Sequence, residues 1–300
     1  MKFKKCIGIF LGVCIVGLIA FYFIKNQQNK TVMKQDANIE VAFRNTNVQL
    51  TKGCTYQSRY NIKSVKDEKG KKLSYSKVLS EGTYIIEDNL ECSVAGTYEA
   101  KVMAMNEDSQ TSEKTFTITI NDDNIDYSAV TTKLVKPTYI DGILLVNKQH
   151  ALPSDFHEDN NTAYQAYHQL QEAAKADGYT LPLLSGYRSY EYQTELYQTY
   201  VNNDGVEAAD RYSARPGYSE HQSGLCFDVG EISYEYGESA EGKWLAKHCA
   251  EYGFIIRYPK GKEHITGYTY EPWHIRYVGK EAATFIMEEN ITLEEYLGAR

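Results

Sequence analysis

What this chain lacks narrows its function first. Net charge is −8, with 32 Lys and Arg against 40 Asp and Glu, so it has no basic footprint of the kind nucleic-acid binding requires. Proline is absent between residues 38 and 121, and that stretch shows no helical periodicity. A helical domain is therefore excluded there, and short strands remain. Cysteine is limited to six residues. Cys6 and Cys14 lie in an apolar segment and read as inert thiols. Cys54, Cys92, Cys226 and Cys249 allow three pairings in an oxidising compartment. Cys54 with Cys92 is the favoured pair because both fall in one β unit, and reduced thiols filling small gaps are the rival reading.

From Cys6 to Ile24 no residue is charged. As a helix this run would span about 28 Å, enough for a bilayer core. Lys2, Lys4 and Lys5 precede it, and bulky Phe21-Tyr-Phe-Ile24 stands where signal cleavage would want small residues. The expectation is an uncleaved transmembrane helix: residues 1–25 as cytoplasmic tail and anchor, 26–37 as linker, and the remainder extracellular. Residues 38–122 form the β region. Thr115-Phe-Thr-Ile-Thr-Ile120 alternates with period two, as does part of Tyr98–Ala104, with a turn at Ala95-Gly96-Thr97. A small all-β sandwich is expected. The run Val94-Ala-Gly-Thr-Tyr98 resembles bacterial immunoglobulin-like modules, which implies a spacer or wall-interacting role. Ser74-Tyr-Ser-Lys77 matches the S-x-x-K pattern of acylating enzymes, but its S-D-N and K-T-G partners are missing.

Residues 123–300 read as mixed α and β. Thr162–Asp177 carries Tyr164, Tyr167, Leu170 and Ala174 at helical spacing, with Gly178 as a stop. Ser189 can cap a helix over Tyr190–Asn202. Strands are expected at 181–184, 225–229, 254–257 and 274–278, and further helices at 241–252 and 280–289. The connections are too short for repeated parallel crossovers, so the class is α+β.

Two runs carry the chemistry: Ser219-Glu-His221-Gln-Ser-Gly224-Leu-Cys-Phe-Asp228 and Glu271-Pro-Trp-His274. They offer two imidazoles and a carboxylate, the donor set of a catalytic metal site with an open position, plus a spare carboxylate to move protons. In a strand, Asp228 and Cys226 share one face while Leu225 and Phe227 point to the other. Cys226 reads as a small packed residue, with soft metal ligation as the weaker alternative. Glu271 and His274 are three apart, and Pro272 forbids a helical turn. Both reach one site only if this tetrapeptide bends irregularly as it enters its strand. Arg188 precedes the Ser189 cap, where it and the helix N-terminus would together favour a bound anion.

Ser185-Gly-Tyr-Arg188-Ser-Tyr-Glu-Tyr-Gln193, the Pro216–Asp228 run, Tyr252-Gly-Phe-Ile-Ile-Arg-Tyr-Pro-Lys260 and Tyr270-Glu-Pro-Trp-His274-Ile-Arg-Tyr-Val-Gly279 resemble VanY-type D-alanyl-D-alanine carboxypeptidases. The resemblance covers roughly Gly142 to Tyr296. It implies one Zn²⁺ per chain on His221, Asp228 and His274, Glu271 as general base and acid, and Arg188 polarising the scissile carbonyl or holding the terminal carboxylate. It also implies that Ser219 and Gln193 line the substrate cleft. Cys226 departs from the small Ala or Ser of many relatives. The implied partner is a peptidoglycan stem peptide or precursor ending in D-Ala. An L,D-carboxypeptidase and an inactive wall-binding protein are the alternatives.

Overall fold

The computed structural model describes residues 38–122, 135–158 and 160–300. The expected anchor and linker lie outside these residues, and no helix among the described residues is long and apolar enough to cross a membrane.

The first seven strands are β1 (Glu40–Phe43), β2 (Asn47–Thr51), β3 (Ile62–Lys66), β4 (Ser74–Tyr75), β5 (Thr83–Asp88), β6 (Gly96–Met105) and β7 (Thr111–Asn121). They form a five-stranded sheet of order β2-β7-β6-β5-β4 and a two-stranded pair, β1-β3. The alternation read from sequence is the burial pattern: Ala100, Val102 and Ala104 of β6, and Phe116, Ile118 and Ile120 of β7, are inside. The Sγ atoms of Cys54 and Cys92 face each other at 2.6 Å. Cys226 and Cys249 are buried elsewhere.

Two compact units divide the described residues: one holds 38–41, Ser64–Ile85 and Val102–Lys114; the other holds Ala42–Lys63, Ile86–Lys101 and the described residues from Thr115 to Arg300. Residues 42–63 hydrogen-bond to the C-terminal segment, with Asn45 Nδ2 donating to the carbonyls of Leu297 and Gly298 at 3.1 and 2.8 Å.

In the second unit β8 (Thr138–Ile140) and β9 (Ile143–Leu145) make a hairpin. Then come α1 (Asn161–Ala176), β10 (Leu183–Ser185), α2 (Tyr190–Asp204), α3 (Val206–Tyr212), β11 (Cys226–Val229), α4 (Ala240–His248), β12 (Phe254–Tyr258), α5 (Glu263–Thr266), β13 (Glu271–Tyr277), α6 (Lys280–Glu289) and α7 (Leu293–Leu297). The sheet β10-β11-β13-β12 is antiparallel throughout, as the α+β class requires. Its core side receives Ala163, Tyr167, Leu170 and Ala174 of α1 against Phe227 and Val229. These recur at helical spacing, so α1 presents one apolar stripe to the sheet. Each large apolar side chain buried there contributes about 1.5–3 kcal/mol.

Candidate metal centre

β11 lies between β10 and β13, and its register sets Asp228 directly opposite His274. Alternation turns Phe227 into the core, where it stacks on Tyr167 with centroids 5.1 Å apart, and turns Cys226 and Asp228 the other way. Ahead of β11, Glu220–Ser223 is one 3₁₀ turn closed by Gly224 at φ 68°. That left-handed position favours glycine, and the tight turn brings His221 back over the strand that follows.

The irregularity demanded at Glu-Pro-Trp-His is present. Along β12 and β13, Ile256 pairs with Ile275 while Tyr258 pairs with Glu271, so two residues of β12 oppose four of β13. This bulge swings Glu271 onto the face of His274, and Glu271 Oε2 lies 3.4 Å from His274 Nδ1. Trp273 goes into the core cluster and braces the bend.

The side chains converge closely. Asp228 Oδ2 is 3.2 Å from His221 Nε2, and Asp228 Oδ1 is 3.2 Å from His274 Nδ1. His221 Nδ1 donates to the Gly186 carbonyl at 2.7 Å, so Nε2 is the nitrogen that faces the site. Arg188 Nη2 reaches His221 Nε2 and Asp228 Oδ2, each at 3.0 Å. Arg188 pairs with Asp228, and Ser189 caps α2 by accepting from the Tyr192 amide. The donor atoms of His221, Cys226 and His274 all lie within 4.8 Å of one another. Cys226 therefore borders the site as well as packing beneath it.

Electrostatics follow from this crowding. Burial alone would raise the Asp228 carboxyl, but the imidazoles of His221 and His274 outweigh it and hold the carboxyl well below its usual range. Burial likewise opposes ionisation of Cys226, yet the same imidazoles bring its thiol down to about 7. Burial would lower His221, but Cys226 and Asp228 raise it to about 9.

Asp228 Oδ1 is buried at the convergence of these groups without a hydrogen-bond partner. A buried polar atom left in that way is costly unless something else satisfies it. Two imidazoles and a carboxylate, with a spare carboxylate alongside, suit Zn²⁺ in a site with an open position. The cleft above them is about 440 Å³ and is lined by Arg188, Ser219, Tyr258, Glu271 and both histidines, among others.

One placement differs from expectation. Gln193, expected to line the cleft, is buried under Arg188: its Oε1 accepts from Arg188 Nη1 at 3.3 Å, and its Nε2 donates to the Ala214 carbonyl at 2.7 Å. Both ends of the amide are used within the protein, so Gln193 holds Arg188 in place. Tyr258 does line the cleft, with its ring 4.9 Å from that of His274.

A layer of buried charge lies under the site. Glu220, Arg257, Arg276 and Glu294 are buried. Glu220 Oε1 accepts from Arg257 Nε at 2.8 Å and Arg276 Nη1 at 2.6 Å, and Arg257 also binds Glu294 at 2.9 and 2.6 Å. Burial would raise the Glu220 carboxyl, but Arg257 and Arg276 keep it charged far below the ordinary range. Its only signal in the sequence was position: Glu220 sits between Ser219 and His221, and Arg257 and Arg276 stand in otherwise apolar strands.

A four-stranded antiparallel sheet carrying a His-Asp-His donor set and an adjacent carboxylate defines a candidate metallopeptidase domain. The profile of the VanY family, D-alanyl-D-alanine carboxypeptidase, matches residues 157–280. The putative carboxypeptidase YodJ of Bacillus subtilis is 41% identical over 180 residues, covering 51% of this chain and 66% of the relative. A D-alanyl-D-alanine carboxypeptidase of Enterococcus faecium is 38% identical over 153 residues, 51% of this chain and 48% of the relative. The chain thus spans less than two thirds of these curated relatives. Among solved structures, the LdcB LD-carboxypeptidase superposes with a TM-score of 0.50 at 36% identity, covering 58% of this chain and 99% of that one. Residues 157–280 thus carry a domain of the VanY family type.

Proposed function

We propose that this protein is a zinc-dependent D-alanyl-D-alanine carboxypeptidase that removes the terminal D-Ala from peptidoglycan stem peptides or their precursors. The observation that carries this reading is Glu271 beside the His221–Asp228–His274 donor set in a cleft that Arg188 also enters. Held by His221, Asp228 and His274, Zn²⁺ would supply Lewis acidity toward the peptide carbonyl and the attacking water. Glu271 takes a proton from the attacking water and returns it to the departing D-alanine amine. The Arg188 guanidinium, fixed by Ser185 Oγ at 3.1 Å and by Gln193, holds the negative charge that develops on the substrate or its terminal carboxylate. Ser219 forms part of the cleft wall. No serine is acylated in this scheme, so penicillin should leave the enzyme active.

The uncharged run Cys6–Ile24 supports a single-pass anchor in the cell membrane with the catalytic domain outside. The strands of residues 38–122 serve as an immunoglobulin-like spacer or wall-interacting module. Catalysis is favoured over an inactive wall-binding role because Glu271 and Arg188 both stand at the donor set, where a pure binder needs no proton shuttle.

A second reading is favoured by one observation: LdcB, matched over almost its whole length, is an LD-carboxypeptidase. A pocket that accepts a D-methyl group and one that accepts a long L-diamino-acid side chain differ by small changes, and one methylene changes discrimination by only about 1–3 kcal/mol. Mass analysis of defined stems, incubated with the purified protein and zinc, separates the two. Loss of one D-Ala from pentapeptides ending in D-Ala-D-Ala is expected. Cleavage of tetrapeptides ending in L-Lys-D-Ala or diaminopimelate-D-Ala, with pentapeptides intact, would establish the second reading instead.

A further inference from the structure

We infer that Glu220 is the positioning residue for His274: it holds the imidazole proton on Nε2 and so leaves Nδ1 as the metal-ligating nitrogen. The inference rests on the metal-site reading above and adds the choice of nitrogen and the group that makes it. Glu220 Oε2 and His274 Nε2 are both buried without a hydrogen-bond partner, and they face each other at 3.6 Å. On the opposite edge of the ring, Nδ1 stands 3.2 Å from Asp228 Oδ1 and 3.4 Å from Glu271 Oε2. The imidazole is therefore bracketed, with the reactive groups on one side and Glu220 on the other.

A neutral imidazole carries one N–H, and the partner of one nitrogen decides what the other can do. Glu220 is an acceptor only. Its Oε1 is occupied by the guanidinium groups of Arg257 and Arg276, and Arg257 is itself held by Glu294, which accepts from Asn147 Nδ2 at 3.1 Å. With that oxygen clamped, the carboxylate cannot turn away, and Oε2 remains aimed at His274. A buried carboxylate in this place stabilises a proton on Nε2, so the Nδ1 lone pair points at Asp228 and the cleft. His221 is oriented in the reverse sense, because its Nδ1 proton goes to the Gly186 carbonyl and Nε2 faces the site. One short turn, Glu220–Ser223, thus supplies a ligand and, one residue earlier, the group that orients the other histidine ligand.

The test is nitrogen NMR of the full chain with ¹⁵N-labelled histidine, without metal and with one equivalent of zinc. The zinc-loaded protein should show His274 protonated at Nε2 with the metal shift on Nδ1. A proton on Nδ1 with Nε2 bound to metal would overturn the inference, and this measurement needs no variant to fold. In Glu220→Gln the arginines would take the amide oxygen, and the NH₂ group would face His274 Nε2 and demand an acceptor there. That opposes Nδ1 ligation, so zinc affinity measured by chelator competition should fall about 10–100-fold, with circular dichroism unchanged. A folded Glu220→Gln protein with parental zinc affinity and parental His274 shifts would refute the role. His221→Ala separates metal binding from the orientation of His274. If the unmutated protein binds no zinc, or His221→Ala still binds it fully, the metal-site reading fails. If zinc binds through these ligands with the opposite His274 tautomer, only the positioning role fails.

Discussion

At the residue scale, Glu271 and Arg188 can be separated from the groups that merely hold metal. Glu271→Gln keeps the shape of the side chain but cannot carry a proton. It should retain zinc and bind stem peptide while turnover drops about 10²–10⁴-fold; turnover within a few-fold of the parent would remove Glu271 from the proton path. Arg188→Lys preserves charge and loses the planar fork that reaches His221 and Asp228 together. Activity should fall sharply, and an equally active Lys variant would make Arg188 a replaceable charge. Proton competition at the histidines gives a third expectation. Without metal the His221 imidazole is held up to about 9 by Cys226 and Asp228 against burial, and zinc must displace that proton. Zinc affinity should therefore rise as pH increases toward about 9, with protons released on binding, as calorimetry in two buffers would show. In the metal-free protein the sign reverses. The raised imidazole contributes stability that is complete below its unfolded value near ~6.5, and this contribution is lost as pH rises through about 9.

At the scale of elements, the sheet register explains why two runs more than forty residues apart make one site. Asp228 opposite His274, and the β13 bulge beneath Glu271, turn one-dimensional spacing into a shared face. Much of this was legible. Strand alternation put Cys226 and Asp228 together, and Pro272 between a carboxylate and an indole-histidine pair required a bend. The helical stripe of α1 and the Ser189 cap were also readable, because both depend on neighbours within a turn or two. The role of Gln193 was not legible, because a polar side chain near a motif looks the same whether it meets substrate or props another residue. The Glu220–Arg257–Arg276–Glu294 layer was invisible for a further reason. A charge is expected at the surface, and only the joining of four separated segments lets these four neutralise one another inside. Their interdependence is measurable. Replacing Arg257 with Met removes one cation from between two buried carboxylates, and breaking such a group typically costs about 3–5 kcal/mol. Urea denaturation should show that loss. A variant as stable as the parent would mean that water or a shifted side chain already compensates the charge.

For the molecule as a whole, the segment Ala42–Lys63 belongs with the C-terminal residues, and its contacts lead back to the metal centre. Glu295 Oε1 accepts from the amide and hydroxyl of Thr55 at 2.6 and 2.9 Å. Arg59 pairs with Glu289 at 2.6 Å, and the Gln49 amide donates to the Gly298 carbonyl at 2.8 Å. Between them these contacts tie down α6 and α7. Helix α7 also carries Glu294, which grips Arg257, which in turn holds Glu220 behind His274. A fragment of residues 123–300 would keep every proposed ligand and lose this brace. Neutral hydrogen bonds contribute about 0.5–1.5 kcal/mol each and charged ones about 1.5–3, so several together correspond to a fall in Tm of roughly 10 °C or more for a domain of this size. The fragment should melt lower than a chain beginning at residue 38, and should also bind zinc more weakly, because loosening α7 frees the arginine that orients Glu220. Equal melting temperatures and equal zinc affinities for the two would show that the catalytic residues need nothing from the strands before them, and residues 42–63 would then be only a neighbour of the site's scaffold.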